Sequence, residues 1–243
     1  MTAMEVVLIL IIVVVASTVG TLTGFGLSTI MIPVMVLFYP MPETLLFVGV
    51  IHWFSDLWKL LLFREGIRWR LILSFGIPGI VATILAARLL FSISGTVLAR
   101  ILGVFLIAYV VFLLTKSAFK VRQSPATAAI GGTLSGFSAG IFGMGGAIRA
   151  LFLSAFDLPK AVYLATAGAI AIAIDTPRLA TYVWQGARLE PLLLWGTLLF
   201  VPASFLGANL GKSLVNRIPE RHFRKVIAAF LFIIGLKLLI HPA

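Results

Sequence analysis

The chain has 243 residues, of which 61% are hydrophobic and 11% charged, and its mean hydropathy is +1.14. A soluble domain is about half apolar and about a quarter charged, so this composition excludes an ordinary soluble core. The 19 Lys and Arg residues outnumber 8 Asp and Glu, for a net charge of +11. Basic residues collect in the cytoplasmic loops of membrane proteins, and no basic patch here is interleaved with aromatic residues outside the apolar segments. We therefore expect no nucleic-acid partner.

Ten apolar segments follow one another along the chain, five in each half. They run over 4–22, 27–40, 43–63, 71–91 and 97–115, and, after a polar linker, over 126–142, 147–156, 160–184, 191–211 and 224–240. A bilayer core takes about 20 apolar residues per helix, so eight segments are long enough to span it and the second of each half is short. We predict an all-α polytopic membrane protein with a first transmembrane repeat (1–115), a cytoplasmic linker (116–125) and a second repeat (126–243).

The two halves repeat each other. At one constant offset, residues of the first half meet residues of the same kind in the second: Gly24 and Gly143, Asp56 and Asp175, Lys59 and Arg178. Chance does not easily supply rare charged residues in the same order inside apolar sequence. We therefore infer a duplication.

Basic residues predict how the halves are oriented. The stretches 64–70, 116–125 and 212–225 are rich in Lys and Arg, and the positive-inside rule places all three in the cytoplasm. That works if every segment crosses the membrane, with the halves inverted and both termini outside. If the two short segments were re-entrant, the halves would be parallel and 212–225 would face away from the cytoplasm. We predict the inverted arrangement.

Each half contains a tight glycine break, Gly24-Phe25-Gly26 in the first and Gly143-Met144-Gly145-Gly146 in the second. Glycines at four-residue spacing elsewhere serve close helix packing, whereas these tighter pairs disfavour a continuous helix. We expect short helices to restart near Ser28 and Ala147, with free N–H groups and a partial positive charge that suit an anion. Ser28 and Thr29 can cap the first of these helices or donate to a ligand directly.

Arg149 is a candidate binding residue because a charge inside a membrane segment is costly unless it is paired or hydrated. It lies in the short segment 147–156, with no other charge near it in sequence. Three interpretations are open: it binds an anion, it reaches the membrane interface, or it pairs with Asp157 or Asp175.

Two further candidates are the pairs Asp56 with Lys59 and Asp175 with Arg178, each spaced to share one face of a helix. They are either self-neutralised ion pairs or sites where one carboxylate takes up a proton coupled to transport. His52 lies one turn before Asp56 and titrates near neutrality, so it can join a proton relay. It is the weaker candidate, because the second half has alanine in the corresponding place.

No motif supports an enzyme. The sequence has no HExxH, no GxSxG, no Walker loop and no cluster of His and carboxylates at metal spacing. It also has no cysteine, which excludes disulfides, thiolate metal sites and a cysteine nucleophile. We expect no catalytic residues, no cofactor and no metal.

The breaks resemble the sulfite exporter TauE/SafE family of membrane permeases. That family has a glycine-rich signature, G-x-G-G-G followed by a proline, once per half. Matching residues in the two copies are Gly24, Gly26 and Pro33, then Gly143, Gly145 and Gly146. Differing residues are Leu27 and Ser28 in the first copy, and Ala147 in the second, where Arg149 is an addition and Phe152 stands near the proline position. The duplicated pattern covers essentially the whole chain.

The resemblance implies export or uptake of sulfur-containing or other small organic anions, driven by the proton gradient. We therefore predict a secondary transporter for an anion such as sulfite or an organosulfonate, multi-pass in the bacterial inner (plasma) membrane. The restarted helices would present N–H groups near the midplane, Arg149 would add charge, and the two halves would rock around the site. A passive anion channel and a non-transporting membrane assembly protein are the alternatives. The predicted partners are the anion and the lipid bilayer, and a homo-oligomer is compatible with the sequence.

Overall fold

The computed structural model describes residues 3–23, 26–63, 66–115, 122–214 and 220–242, and these ranges contain helices and no strand. Ten α-helices lie in them: α1 Ala3–Thr23, α2 Ser28–Met35, α3 Met41–Leu62, α4 Trp69–Leu90, α5 Gly95–Thr115, α6 Pro125–Phe142, α7 Gly146–Leu153, α8 Lys160–Trp184, α9 Pro191–Leu214 and α10 Glu220–Ile240. Each predicted apolar segment corresponds to one of these helices. Gly24, Phe25 and most of the linker 116–125 lie outside the described residues.

The two short segments form the shortest α-helices of the described chain, α2 and α7, with 8 residues each. Helix α2 ends before the predicted boundary because the chain tightens into turns after Met35 and then reaches Pro40, which cannot continue a helix. Helix α7 passes into a short 3-10 turn, Ser154–Phe156. Both short helices therefore fall well below the length that spans a bilayer core.

Among the described residues, 6 helices are long and apolar enough to cross a membrane: α1, α3, α4, α5, α8 and α9. Helix α6 has 18 residues but is rich in Gly, Ala, Ser and Thr, and α10 contributes a shorter apolar stretch, Ala228–Ile240. Of the eight long spans that were predicted, six meet these criteria in the described residues, and the other two correspond to α6 and α10. Helix α4 exposes a row of apolar side chains, as expected of a surface that faces lipid. The row consists of Leu73, Ile77, Val81, Leu85 and Leu89.

Helices of one half pack mainly on helices of the other. Helix α1 lies along α9, α4 along α6, α3 against α8, and α5 against α10. In the predicted repeat, helices α1 to α5 correspond in order to α6 to α10. If each helix is replaced by its counterpart, the α1–α9 pair becomes the α6–α4 pair, and the α3–α8 and α5–α10 pairs remain the same pairs. This is the packing pattern that a duplication produces.

Glycine contacts give the directions of these pairs. Three glycines of α6 lie in order against three backbone carbonyls of α4: Gly132 on Phe75, Gly136 on Gly79 and Gly140 on Thr83. Helices α4 and α6 therefore run parallel. In the α3–α8 pair the order is reversed, because Gly49 faces Leu179 near the end of α8 whereas Gly168 faces Leu60 near the end of α3. The two helices that carry the repeated Asp and basic residues are therefore antiparallel.

Candidate functional site

The first helix break lies against the imidazole of α3. Gly26 has a φ of +86°, a left-handed conformation that glycine adopts without strain. A Cβ atom at this position would lie 2.5 Å from Cε1 of His52. Helix α2 then begins at Ser28, as predicted. Two conditions therefore require glycine at position 26: its backbone conformation and its contact with the ring.

The second break follows the same plan with different details. Gly143 ends α6 in a left-handed conformation with a φ of 68°. Helix α7 restarts at Gly146, one residue before the predicted Ala147. Gly145 has an ordinary right-handed conformation, but a Cβ there would lie 2.6 Å from the backbone oxygen of Ser135. Gly145 is thus required for close approach, whereas Gly143 is required for its backbone angle.

Two serine hydroxyls of α6 donate to backbone carbonyl groups at this break. Ser135 Oγ donates to the carbonyl of Gly145 and Ser138 Oγ donates to the carbonyl of Met144, both at 2.9 Å. Buried carbonyls away from water need such donors. Neither serine was predicted from the sequence. Both are small hydroxyl residues one or two turns before a predicted break, and that position is the signal that could have identified them. Met144 itself is fully buried in the apolar core.

Both predicted ion pairs form in the interior. Lys59 Nζ donates to Asp56 Oδ1 at 2.7 Å, and Arg178 Nε lies 3.1 Å from Asp175 Oδ1. All four side chains are buried. Because α3 and α8 are antiparallel, the two pairs lie side by side at the centre of the molecule.

His52 joins the two pairs. Its Nε2 atom lies 3.3 Å from Asp56 Oδ2 and 3.7 Å from Asp175 Oδ2. The histidine is 2% exposed. The weaker candidate of the sequence argument is therefore central, because the crossing of α3 over α8 brings one imidazole to carboxylates from both halves.

Arg149 is buried, 3% exposed, in α7. Its burial excludes the interpretation that it reaches the membrane interface. Asp157 is exposed, and the ion-pair partners of Asp175 in the described part of the chain are His52 and Arg178. Nε of Arg149 has no hydrogen-bond partner there, yet its charge acts on both His52 and Asp56. Arg149 therefore adds a third cation beside the two ion pairs.

We call His52, Asp56, Lys59, Arg149, Asp175 and Arg178 the charged cluster. The ligand atoms of His52, Asp56 and Asp175 lie within 4.8 Å of one another, a grouping that the sequence did not reveal because it comes from two helices. That spacing would suit a metal ion, but each carboxylate already has a basic partner, and the charge of Arg149 also acts on Asp56. Three cations outnumber two carboxylates, so the balance of charge favours an anion over a metal cation.

Arg178 links the cluster to the second break, as His52 does to the first. Its Nη1 atom donates to the carbonyl of Ala139 at 3.2 Å, and a Cβ at Gly143 would lie 3.1 Å from Nη1. Its Nη2 atom has no hydrogen-bond partner among the described residues. Both glycine breaks thus contact the same charged cluster, each through one of its side chains.

Tyr182 supports the second break and was not identified from the sequence. Its hydroxyl donates to the carbonyls of Gly140 at 2.6 Å and Ala139 at 3.2 Å, near the end of α6. Its ring lies 5.6 Å from the guanidinium carbon of Arg178. Its role could have been inferred from its position one turn after Arg178, which places both side chains on the same face of α8.

Ser28 and Thr29 begin α2, and both are buried. Ser28 Oγ has no hydrogen-bond partner within the described chain. The first N–H groups of any helix lack intrahelical acceptors, so this hydroxyl stands among other donors. The start of α2 therefore presents hydrogen-bond donors in a buried place.

Comparison with known proteins identifies the family. The sequence model described as sulfite exporter TauE/SafE matches residues 9–238, nearly the whole chain. The chain belongs to the sulfite exporter TauE/SafE family. The resemblance drawn from the glycine signature is confirmed, and membership fits a multi-pass membrane transporter with six long apolar helices. No curated protein matches the sequence.

This TauE/SafE member differs from the family signature at positions where its backbone does not require glycine. Leu27 has φ −59° and ψ −37°, a right-handed conformation open to any residue, and Ser28 is already helical. Ala147 lies inside α7. Of the matching glycines, those at positions 26, 143 and 145 meet a left-handed angle or a close approach, whereas Gly146 is the first residue of α7.

Proposed function

We propose that this TauE/SafE member is a secondary transporter for small anions, with sulfite or an organosulfonate as substrate, driven by a proton gradient. The observation that carries the proposal is the position of the charged cluster. It is buried, it has more cations than carboxylates, and both helix breaks contact it. An isolated excess of positive charge is costly in a membrane interior, so an anion that neutralises it binds favourably.

The unpaired donors support this assignment. Arg149 Nε, Arg178 Nη2 and Ser28 Oγ are buried and lack hydrogen-bond partners in the described part of the chain. Sulfite and a sulfonate group each carry three acceptor oxygens, and a guanidinium group suits such oxyanions through paired N–H donors. The first N–H groups of α2 and α7 add donors and a partial positive charge.

We also propose that every apolar segment crosses the bilayer, the two short ones as an 8-residue helix continued by turns. The two halves, 1–115 and 126–243, would then be inverted repeats joined by a cytoplasmic linker. The antiparallel packing of α3 on α8 supports this arrangement. A two-fold axis that relates antiparallel helices is perpendicular to them, and therefore lies in the membrane plane when they span it. Re-entrant short segments would instead make these equivalent helices parallel.

Flux measurements with the purified chain in proteoliposomes test the proposal. Radiolabelled sulfite and methanesulfonate are offered with and without a pH difference. A carrier gives saturable flux that follows the pH difference. Flux that ignores the pH difference, and that survives Asp56→Asn with Asp175→Asn, would identify a passive channel instead. Absence of flux for both probes would contradict the proposal.

A further inference from the structure

His52 is positioned to hold the coupling proton because both neighbouring carboxylates have a cation of their own. Asp56 uses Oδ1 for Lys59, and Asp175 uses Oδ1 for Arg178. Protonating either carboxylate would leave a buried cation without its counter-charge, which is strongly unfavourable. Each carboxylate is therefore committed to its own cation.

The remaining carboxylate oxygens determine which imidazole nitrogen carries the first proton. Oδ2 of Asp56 and Oδ2 of Asp175 both lie near His52 Nε2, and neither has a hydrogen bond within the described residues. Two carboxylate oxygens within 3.7 Å of one nitrogen repel a lone pair on it, so the neutral imidazole holds its hydrogen on Nε2. The atom that gains the second proton is Nδ1.

Nδ1 is buried and has no hydrogen-bond partner in the described chain. The charged groups that act on His52 are Asp56 and Lys59 of its own helix, Asp175 of α8, whose partner is Arg178, and Arg149 of α7. Gly26, from the break between α1 and α2, contributes no side chain. None of these residues supplies an acceptor to Nδ1, so a protonated Nδ1 needs an oxygen from another molecule.

We propose that His52 alone carries the coupling proton, that Nδ1 takes it up, and that one proton crosses with each monovalent anion. An oxygen of the anion accepts from Nδ1–H, so proton and anion each strengthen the binding of the other. The proton comes from water on one side and returns to water on the other, and no covalent bond of the anion changes. This inference rests on the proposed transport function.

The test compares wild type with His52→Gln in proteoliposomes by two assays. Exchange of labelled external for unlabelled internal anion at equal pH measures binding and crossing without net coupling. Accumulation under a pH difference of one unit measures coupling, and one proton per monovalent anion predicts about tenfold accumulation in wild type. Methanesulfonate is used beside sulfite because it stays a monoanion, so bisulfite formation cannot imitate coupling. His241→Gln, an exposed histidine after α10, is the matched control.

We expect His52→Gln to lose accumulation and to exchange the anion more slowly, because glutamine cannot take up the proton that strengthens anion binding, and we expect His241→Gln to retain both activities. Accumulation by His52→Gln would overturn the inference. Wild-type exchange without pH-driven accumulation would also overturn it while leaving anion transport intact. If wild type exchanged neither sulfite nor methanesulfonate, the proposed transport function itself would be contradicted.

A second measurement covers the case in which His52→Gln loses exchange as well. Methanesulfonate is added to purified wild type in a weakly buffered solution at neutral pH, and proton uptake is recorded. One proton taken up per anion bound supports the inference, and anion binding without proton uptake overturns it.

Discussion

Gly26 and His52 form the contact through which the first helix break meets the charged cluster. The glycine holds a left-handed backbone angle, and a side chain there would reach within 2.5 Å of the imidazole ring. A substitution at Gly26 that adds a side chain is therefore expected to displace the imidazole of His52 as well.

Gly26→Ala should destabilise the protein and abolish pH-driven transport, because the new methyl group strains the backbone and displaces the imidazole. Strain of this kind costs on the order of 1 to 3 kcal/mol. Thermal unfolding in detergent and accumulation in proteoliposomes measure the two effects. Gly76→Ala in α4 is the control, since a Cβ there meets nothing within 4 Å. Equal stability and transport for the two variants would show that the contact has no role.

Arg149→Gln should weaken anion binding by about tenfold or more, because a hydrogen bond to a charged group is worth about 1.5 to 3 kcal/mol. Arg149→Lys retains the charge but not the paired donors, so we expect an intermediate loss. The dissociation constants of sulfite and methanesulfonate provide the measurement. Arg70→Gln, at an exposed position at the start of α4, should leave them unchanged. An unaltered affinity in Arg149→Gln would remove this residue from the site.

Single cysteines test the inverted repeat, and the chain offers a clean background because it has no cysteine. We expect Arg122→Cys and Arg221→Cys to react with a membrane-impermeant thiol reagent from the same, cytoplasmic side. Ser94→Cys, between α4 and α5, should react from the opposite side. Labelling of positions 122 and 221 from different sides would favour parallel halves.

Ser138→Ala should lower stability by about 1 to 3 kcal/mol, because the carbonyl of Met144 would remain buried without a donor. Ser74→Ala is a matched control: its hydroxyl bonds only to carbonyls of its own helical turn, Arg70 and Leu71. Denaturation midpoints in detergent distinguish the two. If both serine variants lost the same stability, the hydroxyl of Ser138 would have no special role at the break.

The helices and the breaks were predictable because their causes are local. Long apolar runs specify helices, and the tight glycines at 26 and 143 adopt the left-handed angles that interrupt them. The restart positions followed to within one residue.

The importance of His52 was not predictable from local sequence. It depends on the antiparallel crossing of α3 and α8, which brings Asp175 to a ring on another helix. The repeat even argued against His52, because the second half has alanine at the equivalent position, whereas a single imidazole lies beside the equivalent carboxylates of both halves. Tyr182 and Ser138 were not predictable for another reason. Glycine spacing indicates where a helix breaks, but it does not indicate which hydroxyl groups donate to the carbonyls near the break.

Two contacts at which glycine brings helix backbones together, which we call the glycine seams, also limit which helices can move relative to one another. They are the α6–α4 contact at Gly136 and the α9–α1 contact at Gly207. Backbone meets backbone where Gly136 lies on α4 and where Gly207 of α9 lies on α1, with no layer of side chains between them that could slide. Each seam fastens a helix of one half to a helix of the other. Rocking of one half against the other would have to part both seams. If the chain works as the proposed carrier, each moving unit would therefore combine described helices from both halves, and the moving units would not coincide with the two predicted repeats.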